Sequence, residues 1–351
     1  MTFIPKPRIV HPALAKNKLG LTVRDYEGTM STLCAGCGHD SVTAGIIQAF
    51  HELDAEPHRV VKLSGIGCSS KTPTYFVSAA HGFNSAHGRM PSIATGANAA
   101  NRHLTYIGIS GDGDSLSIGM GQLSHAIRRN LNMLYVIENN GVYGLTKGQF
   151  SATADRGSKS KKGVVNADSA IDMVAMALQL GASFVARSFS GDKTQLVPII
   201  KAAIEHEGAA FLDVISPCVA FNNHAGSTKS FDYVREHNEA VNRLDFMTGR
   251  DPIHVDYAPG TVQTVEQHDG SVLVLRKINA DYDVHDRLAA MNFLQHHAAK
   301  GQVVTGVLYL DKEAEDLHRH LNTVAAPLNA LTEKELCPGS AVLEKINAGL
   351  R

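Results

Sequence analysis

Two groups of residues in this chain have the types and spacing for cofactor chemistry. The first is Gly111-Asp112-Gly113, followed one strand–helix–strand interval later by Asn139-Asn140. Glycines let backbone amides approach phosphate oxygens, while a carboxylate, an amide oxygen and a main-chain carbonyl can complete a hard-oxygen shell around Mg2+. Asp-Gly and Asn-Gly also build ordinary turns, so it is the pair at this spacing that carries weight. The second group is thiol-based: Cys34-Ala35-Gly36-Cys37-Gly38-His39, then Gly65-Ile66-Gly67-Cys68-Ser69-Ser70, then Ser216-Pro217-Cys218. A CxxC alone fits zinc, a redox pair or an iron–sulfur cluster. Cys68 and Cys218 each follow a predicted strand at the edge that carries the glycine motif. Four thiolates converging beside an organic cofactor suit a cluster that accepts its electrons. Cys337 lies outside these loops and is read as structural.

The elements that must position these residues follow an α/β grammar. Val42, Ile46, Ile47, Phe50 and Leu53 recur at helical spacing behind Asp40 as a candidate N-cap. Strands are predicted over 58–66, 103–110, 133–138, 183–188 and 211–216, with helices near 117–130, 169–180 ending at Gly181, and 194–207. Near-continuously apolar strands separated by helices indicate a parallel sheet with helices on both faces. Ligands of such sheets bind beyond the carboxyl ends of the strands, and the loops after Ile66, Ser110, Glu138 and Ser216 each carry a motif. Residues 1–30 read as an N-terminal arm, 31–225 as the cofactor-binding domain, and 226–351 as a C-terminal extension holding SVLVLRKI, a helix near 284–300 and VVTGVLYL.

Composition narrows the class. With Lys+Arg 33 against Asp+Glu 34 over 351 residues, the chain lacks the broad basic surface of a nucleic-acid binder. No apolar run reaches the length of a membrane span and the first residues lack a signal-peptide core, so a cytoplasmic protein is expected. In that reducing compartment the five cysteines are not expected to form disulfides.

The motif pair resembles the thiamine diphosphate signature, in which Asp112, Asn140 and the Val142 carbonyl would ligate Mg2+. Gly113, Asp114, Gly144 and Thr146 would then line the diphosphate site. More broadly, CAGCGH, GIGCSSK, HGRMPSIATG, GDGDSLSIGMGQL, ENNGVYGLTKGQ and SPCVAF, in that order, look like the beta subunit of 2-oxoacid:ferredoxin oxidoreductases over most of 30–225. That resemblance implies a thiamine diphosphate-binding (pyrophosphate-type) fold with a C-terminal extension, and one 4Fe-4S cluster on Cys34, Cys37, Cys68 and Cys218. Gly67, Ser69, His87, Arg89, Gly111 and Leu145 join the cofactor-binding set on the same ground, and His39 becomes a candidate to touch diphosphate or substrate. The implied reaction is oxidative decarboxylation of a 2-oxoacid with coenzyme A, its electrons leaving through the cluster to ferredoxin. This single α/β unit holds no second copy to supply the carboxylate that activates the thiamine pyrimidine. In the family an alpha subunit supplies it, in an expected alpha–beta dimer of dimers.

Lys71 follows the cluster loop, where it could pair with the second carboxylate of 2-oxoglutarate or simply meet backbone and solvent. The segment GLTKGQFSATADRGSKSKKG resembles the version in 2-oxoglutarate-using members and favours that substrate over pyruvate. Arg156, Lys159, Lys161 and Lys162 in its loop could guide anionic coenzyme A or an acidic ferredoxin. Three other classes compete. A nicotinamide-dependent dehydrogenase would need a GxGxxG turn that is missing. A non-redox thiamine decarboxylase has no use for the four cysteines, unless they form a structural zinc site. A zinc-stabilised binding protein has no use for the glycine–asparagine pair.

Overall fold

Alternate residues of each apolar strand must be covered from opposite sides, and the fold does this with helices above and below one sheet. The computed structural model describes residues 11–160, 162–241, 258, 260–266, 272–276, 282–337 and 339–350. Its strands are β1 (Val60–Ser64), β2 (His81–Asn84), β3 (Thr105–Gly111), β4 (Met133–Asn139), a small hairpin β5 (Val142–Tyr143) and β6 (Gln149–Phe150), β7 (Phe184–Phe189), β8 (Ala209–Ile215), β9 (Asn238–Val241), β10 (Val262–Glu266), β11 (Val272–Arg276) and β12 (Val303–Leu310). Ten of them form one sheet in the order β10-β11-β9-β12-β7-β8-β4-β3-β1-β2. From β7 to β2 every pairing is parallel. Beyond β7 the sheet turns mixed, because β12 returns antiparallel. The strands after residue 225 thus continue the sheet of the main body.

The helices that pack on the sheet and its flanks include α1 (Gly38–Glu52), α2 (Met90–Ala100), α3 (Met120–Arg128), α4 (Met173–Leu180), α5 (Lys193–Glu205), α6 (Phe231–His237) and α7 (Arg287–Ala298), and three more follow in the tail among the described residues. Met133, Tyr135 and Ile137 of β4 point into a core shared with α2, α3, α4 and α7. Leu134 and Val136 point into a second core shared with α1 and α5. Phe211, fully buried on β8, stacks on Tyr135 with ring centroids 6.3 Å apart. Phe211→Ala is expected to cost about 3–5 kcal/mol of stability, read as a lowered urea midpoint.

Boundaries differ from the sequence reading where tertiary contacts set them. The N-cap of α1 is Cys37, not Asp40, because the Gly38 amide is drawn to the Pro217 carbonyl at 3.2 Å and the helix starts earlier. α4 starts at Met173, where the Asp172 side chain caps Val174 and Ala175, and ends in left-handed Gly181 as expected. A wide turn over Asp114–Ile118 precedes α3. Of the arm, residues 11–30 lie on the body: Tyr26 is fully buried and donates to the Ala55 carbonyl at 2.7 Å. Among the described residues no helix is long and apolar enough to cross a membrane.

Candidate functional site

The parallel strands β1, β3, β4 and β8 deliver their following loops to one edge of the sheet, and the two motif groups meet there. Asp112 leaves β3 and is 1% exposed. Its Oδ2 accepts from Ser151 Oγ and from Thr153 Oγ1, the latter at 2.5 Å. Burial pushes its carboxyl above the usual range, the two hydroxyls and Lys229 opposing it. On the adjacent strand Asn140 turns its Oδ1 to the Val142 amide at 3.0 Å and its Nδ2 to His39 Nε2 at 3.4 Å. Asp112 and Asn140 therefore present oxygen donors from neighbouring strand ends, a donor set suited to Mg2+.

A phosphate cradle lies alongside. Ser69 Oγ is buried without a hydrogen-bond partner, and a Cβ on Gly111 would come within 3.0 Å of it. A buried hydroxyl left unpaired costs free energy unless a ligand completes it, so this pocket fits an oxygen-rich group. Gly113 is required by close approach: a Cβ there would lie 2.5 Å from the Tyr143 ring, whose hydroxyl donates to the Gly113 carbonyl at 3.0 Å. Asp114 is spent internally. It accepts from the Gly88 amide at 2.7 Å, from Ser110 Oγ at 2.7 Å and pairs with His87 Nδ1, which fixes the loop leading to α2. Gly67 follows the end of β1 with φ +128°.

The four cysteines share one environment. Cys37 caps α1 and Cys68 caps the short helix Ser69–Thr74, while a Cβ on Gly144 would stand 3.4 Å from Cys68 Sγ and 3.6 Å from Cys218 Sγ. The loop at Gly144 therefore passes in van der Waals reach of both sulfurs. Burial pushes the Cys37 thiol up to about 12, and Glu138 and Cys218 add to that. Burial, then Cys218, raises the Cys68 thiol, with Cys34 adding and Lys71 opposing. No disulfide joins them. Among the described residues no three His, Cys, Asp or Glu side chains converge on the point that one ion would occupy.

His39 is 1% exposed, with Nδ1 2.6 Å from Ser216 Oγ. Its Nδ1 also lies 3.7 Å from Glu138 Oε2. Burial drives the imidazole down to about 4 and the Glu138 carboxyl well above its usual range, so the imidazole is neutral near pH 7 and this approach is no ion pair. Glu138 accepts from Thr72 at 3.0 Å. Lys71 is half-buried beside the cluster loop, and no hydrogen bond or ion pair engages its ammonium among the described residues. Arg89, Leu145 and Thr146 are exposed at the rim, with Thr146 Oγ1 turned to Gln149 at 2.5 Å. Arg156, Lys159 and Lys162 are exposed, and Lys161 lies outside the described residues. His81 is exposed on edge strand β2, and Cys337 is exposed in the tail.

Sequence reasoning missed Glu138, Ser151 and Thr153. Glu138 directly precedes the asparagine pair, which was the available signal. The two hydroxyls sit in an aperiodic loop and gave none.

Comparison with known proteins agrees with this geometry. The thiamine pyrophosphate enzyme, C-terminal TPP binding domain, matches residues 65–214. The 2-oxoacid:ferredoxin oxidoreductase subunit beta of Saccharolobus solfataricus is 41% identical over 223 residues, 63% of this chain and 70% of that one. The 2-oxoglutarate synthase subunit KorB of Methanocaldococcus jannaschii is 32% identical over 220 residues, 61% of this chain and 81% of that one. Among solved structures, the 2-oxoglutarate:ferredoxin oxidoreductase from Magnetococcus marinus with 2-oxoglutarate, coenzyme A and succinyl-CoA bound superposes with TM-score 0.73 at 28% identity, covering 97% of this chain and 100% of that one. With the glycine–asparagine site and the thiol group at one sheet edge, and with relatives matched over most of their length, this chain belongs to the beta subunits of the 2-oxoacid:ferredoxin oxidoreductases.

Proposed function

We propose that this chain is the beta subunit of a 2-oxoglutarate:ferredoxin oxidoreductase, which converts 2-oxoglutarate and coenzyme A to succinyl-CoA and CO2 and passes the electrons to ferredoxin. The observation that carries the proposal is the meeting of the oxygen donors of Asp112 and Asn140 with the thiols of Cys34, Cys37, Cys68 and Cys218 at one edge of one sheet. Asp112, Asn140 and the Val142 carbonyl would hold Mg2+ against the diphosphate. The Ser69 hydroxyl and the backbone around Gly67, Gly111 and Gly113 would receive its oxygens. When bound, thiamine diphosphate supplies the carbon that attacks the keto group, and a 4Fe-4S cluster takes up the electrons.

This chain's own residues bind, orient and exclude water. Neutral His39 has Nδ1 on Ser216 and Nε2 facing the Asn140 amide, which fixes the ligand oxygen of that amide toward the metal side. His87, pinned by buried Asp114, stands at the rim with one ring nitrogen free to face substrate or diphosphate. Ile66, Ile118, Leu145 and Val219 are exposed apolar side chains beside the site residues. Such a rim fits coverage by an alpha subunit that would bring the carboxylate for the thiamine pyrimidine. The five unpaired cysteines fit a reducing cytoplasm.

Lys71 supports 2-oxoglutarate over pyruvate, because an ammonium without a partner next to the cofactor site can receive a distal carboxylate. The test is anaerobic co-purification with the partner subunit, iron analysis, and coenzyme A-dependent reduction of a viologen dye. Wild type is expected to prefer 2-oxoglutarate. Lys71→Met is expected to raise the KM for 2-oxoglutarate by about 10- to 100-fold, the worth of one charge-assisted hydrogen bond, with pyruvate unaffected. An unchanged 2-oxoglutarate KM would remove Lys71 from substrate recognition; zinc in place of iron would remove the redox reading.

A further inference from the structure

A continuous polar thread runs from Asp112 along one face of the sheet to the N-terminus of α4. Asp112 Oδ2 lies 2.5 Å from Thr153 Oγ1, and Thr153 Oγ1 lies 2.8 Å from Asn139 Oδ1. Asn139 Nδ2 donates to Asp213 Oδ1 at 3.1 Å. Asp213 Oδ2 accepts from Arg187 Nε at 2.7 Å, and Arg187 Nη2 donates to Asp172 Oδ1 at 2.6 Å. Asp172 is also the cap of α4.

Strand register explains why these side chains meet. Arg187 on β7 pairs directly with Asp213 on β8, and Asp213 pairs with Ile137 on β4. Asn139 stands two residues beyond Ile137, on the same face, so its amide reaches Asp213 diagonally. A charged pair in the middle of an otherwise apolar sheet is a costly choice if its only purpose is stability, since apolar residues of similar volume serve at least as well.

The arrangement has a direction. Thr153 has one hydroxyl hydrogen and two acceptors within reach, Asp112 and Asn139. Asn139 must present its oxygen to Thr153, because Asp213 holds its NH2 group on the other side. Arg187 in turn compensates the Asp213 charge and fixes which of its oxygens faces Asn139. Ser151 and Thr153 sit on a loop tied down again by Asp155, which accepts from the Thr228 amide at 2.9 Å and pairs with Lys229 at 3.3 Å.

We propose that Arg187 is a positioning residue for the magnesium–diphosphate site: through Asp213, Asn139 and Thr153 it sets the orientation of the Asp112 carboxylate, leaving Oδ1 for the metal. The inference rests on the thiamine diphosphate reading of the site. Partners of metal-ligating carboxylates are typically worth 10- to 100-fold in metal affinity.

The test uses the chain co-purified with its partner subunit, freed of divalent metal and thiamine diphosphate by chelation. Mg2+ is then titrated calorimetrically at fixed thiamine diphosphate. Arg187→Met is expected to raise the half-saturating Mg2+ concentration by about ten-fold, with turnover at saturating Mg2+ retained and Arg187→Lys intermediate. Should Arg187→Met fail to fold, Thr153→Val against Thr153→Ser carries the test, since only the valine removes the hydroxyl. The same rise for valine and a wild-type value for serine support the thread. An unchanged Mg2+ requirement in these variants, or a fall in thermal midpoint alone, overturns it. If the wild-type complex binds no thiamine diphosphate at any Mg2+ concentration, the function reading itself fails and not merely the role of Arg187.

Discussion

Asp112→Ala is expected to lower thiamine-dependent 2-oxoacid oxidation by at least about a hundred-fold, while the protein keeps its iron. The carboxylate is 1% exposed and its Oδ2 is held by Ser151 and Thr153, so no other acid can swing into its place. The same substitution should not weaken the cofactor-free fold at neutral pH. Burial raises the folded-state pKa of Asp112 above its unfolded value. A group shifted in that direction contributes stability that is fully present below the unfolded pKa and is lost as pH rises through the folded one. Burial therefore disfavours the charged form of Asp112 in the cofactor-free chain, and Asp112→Asn there is expected to melt at or above the wild-type temperature at neutral pH. Metal analysis, thermal melts with and without Mg2+ and thiamine diphosphate, and dye reduction would check these three statements. A cofactor-free melt lowered as much as a core deletion, with activity intact, would place Asp112 in the fold and not in the site. Stability surrendered at a buried ligand and returned when the metal binds is the pattern expected of a functional carboxylate.

Much of this site was legible because its residues are constrained by backbone geometry. Gly113 cannot bear a side chain, since the Tyr143 ring fills that space, and Gly144 sits against the Cys68 and Cys218 sulfurs. Asp112 and Asn140 follow apolar strands whose alternation between two cores sets the sheet edge. What escaped detection obeys no period. Ser151 and Thr153 are loop hydroxyls whose partner is distant in sequence, and Glu138 reads as the polar end of a strand until Thr72 and His39 are seen around it. Arg187 and Asp213 lie in different strands, and only their register brings them together. The helix Met90–Ala100 was missed because its alanines, glycine and asparagine give a weak apolar stripe and Pro91 reads as a breaker, although proline suits the first turn it occupies. The mixed half of the sheet depends on β9 to β12 finding β7, a long-range choice that short apolar runs do not specify.

Cys68→Ala is expected to give the opposite dissociation: thiamine diphosphate binding retained, iron and visible absorbance lost, and dye reduction down by at least about a hundred-fold, the upper range for loss of a metal-site group. Thiolates, not thiols, ligate iron, and in the free chain burial favours the protonated thiol at Cys37 and Cys68. Cys37 is pushed up to about 12 and Cys68 is raised by burial and by Cys218. Cys37 and Cys68 would give up their protons on ligating iron, so cluster assembly would release protons. Iron retention should accordingly fall as pH is lowered, a sign that a preformed thiolate site would not show. With Cys68 removed, three ligands remain and one iron is left open to solvent beside the half-buried Lys71 ammonium. The Asp112 carboxylate is held by Ser151 and Thr153, outside the thiol loop, and Cys68→Ala leaves the backbone of Gly67 and the Ser69 hydroxyl in place, so thiamine diphosphate should still bind. Calorimetry of thiamine diphosphate binding beside iron content separates the two sites in one preparation. Loss of both ligands in Cys68→Ala would mean that the cluster loop also shapes the diphosphate cradle through Ser69, whose buried hydroxyl follows it by one residue.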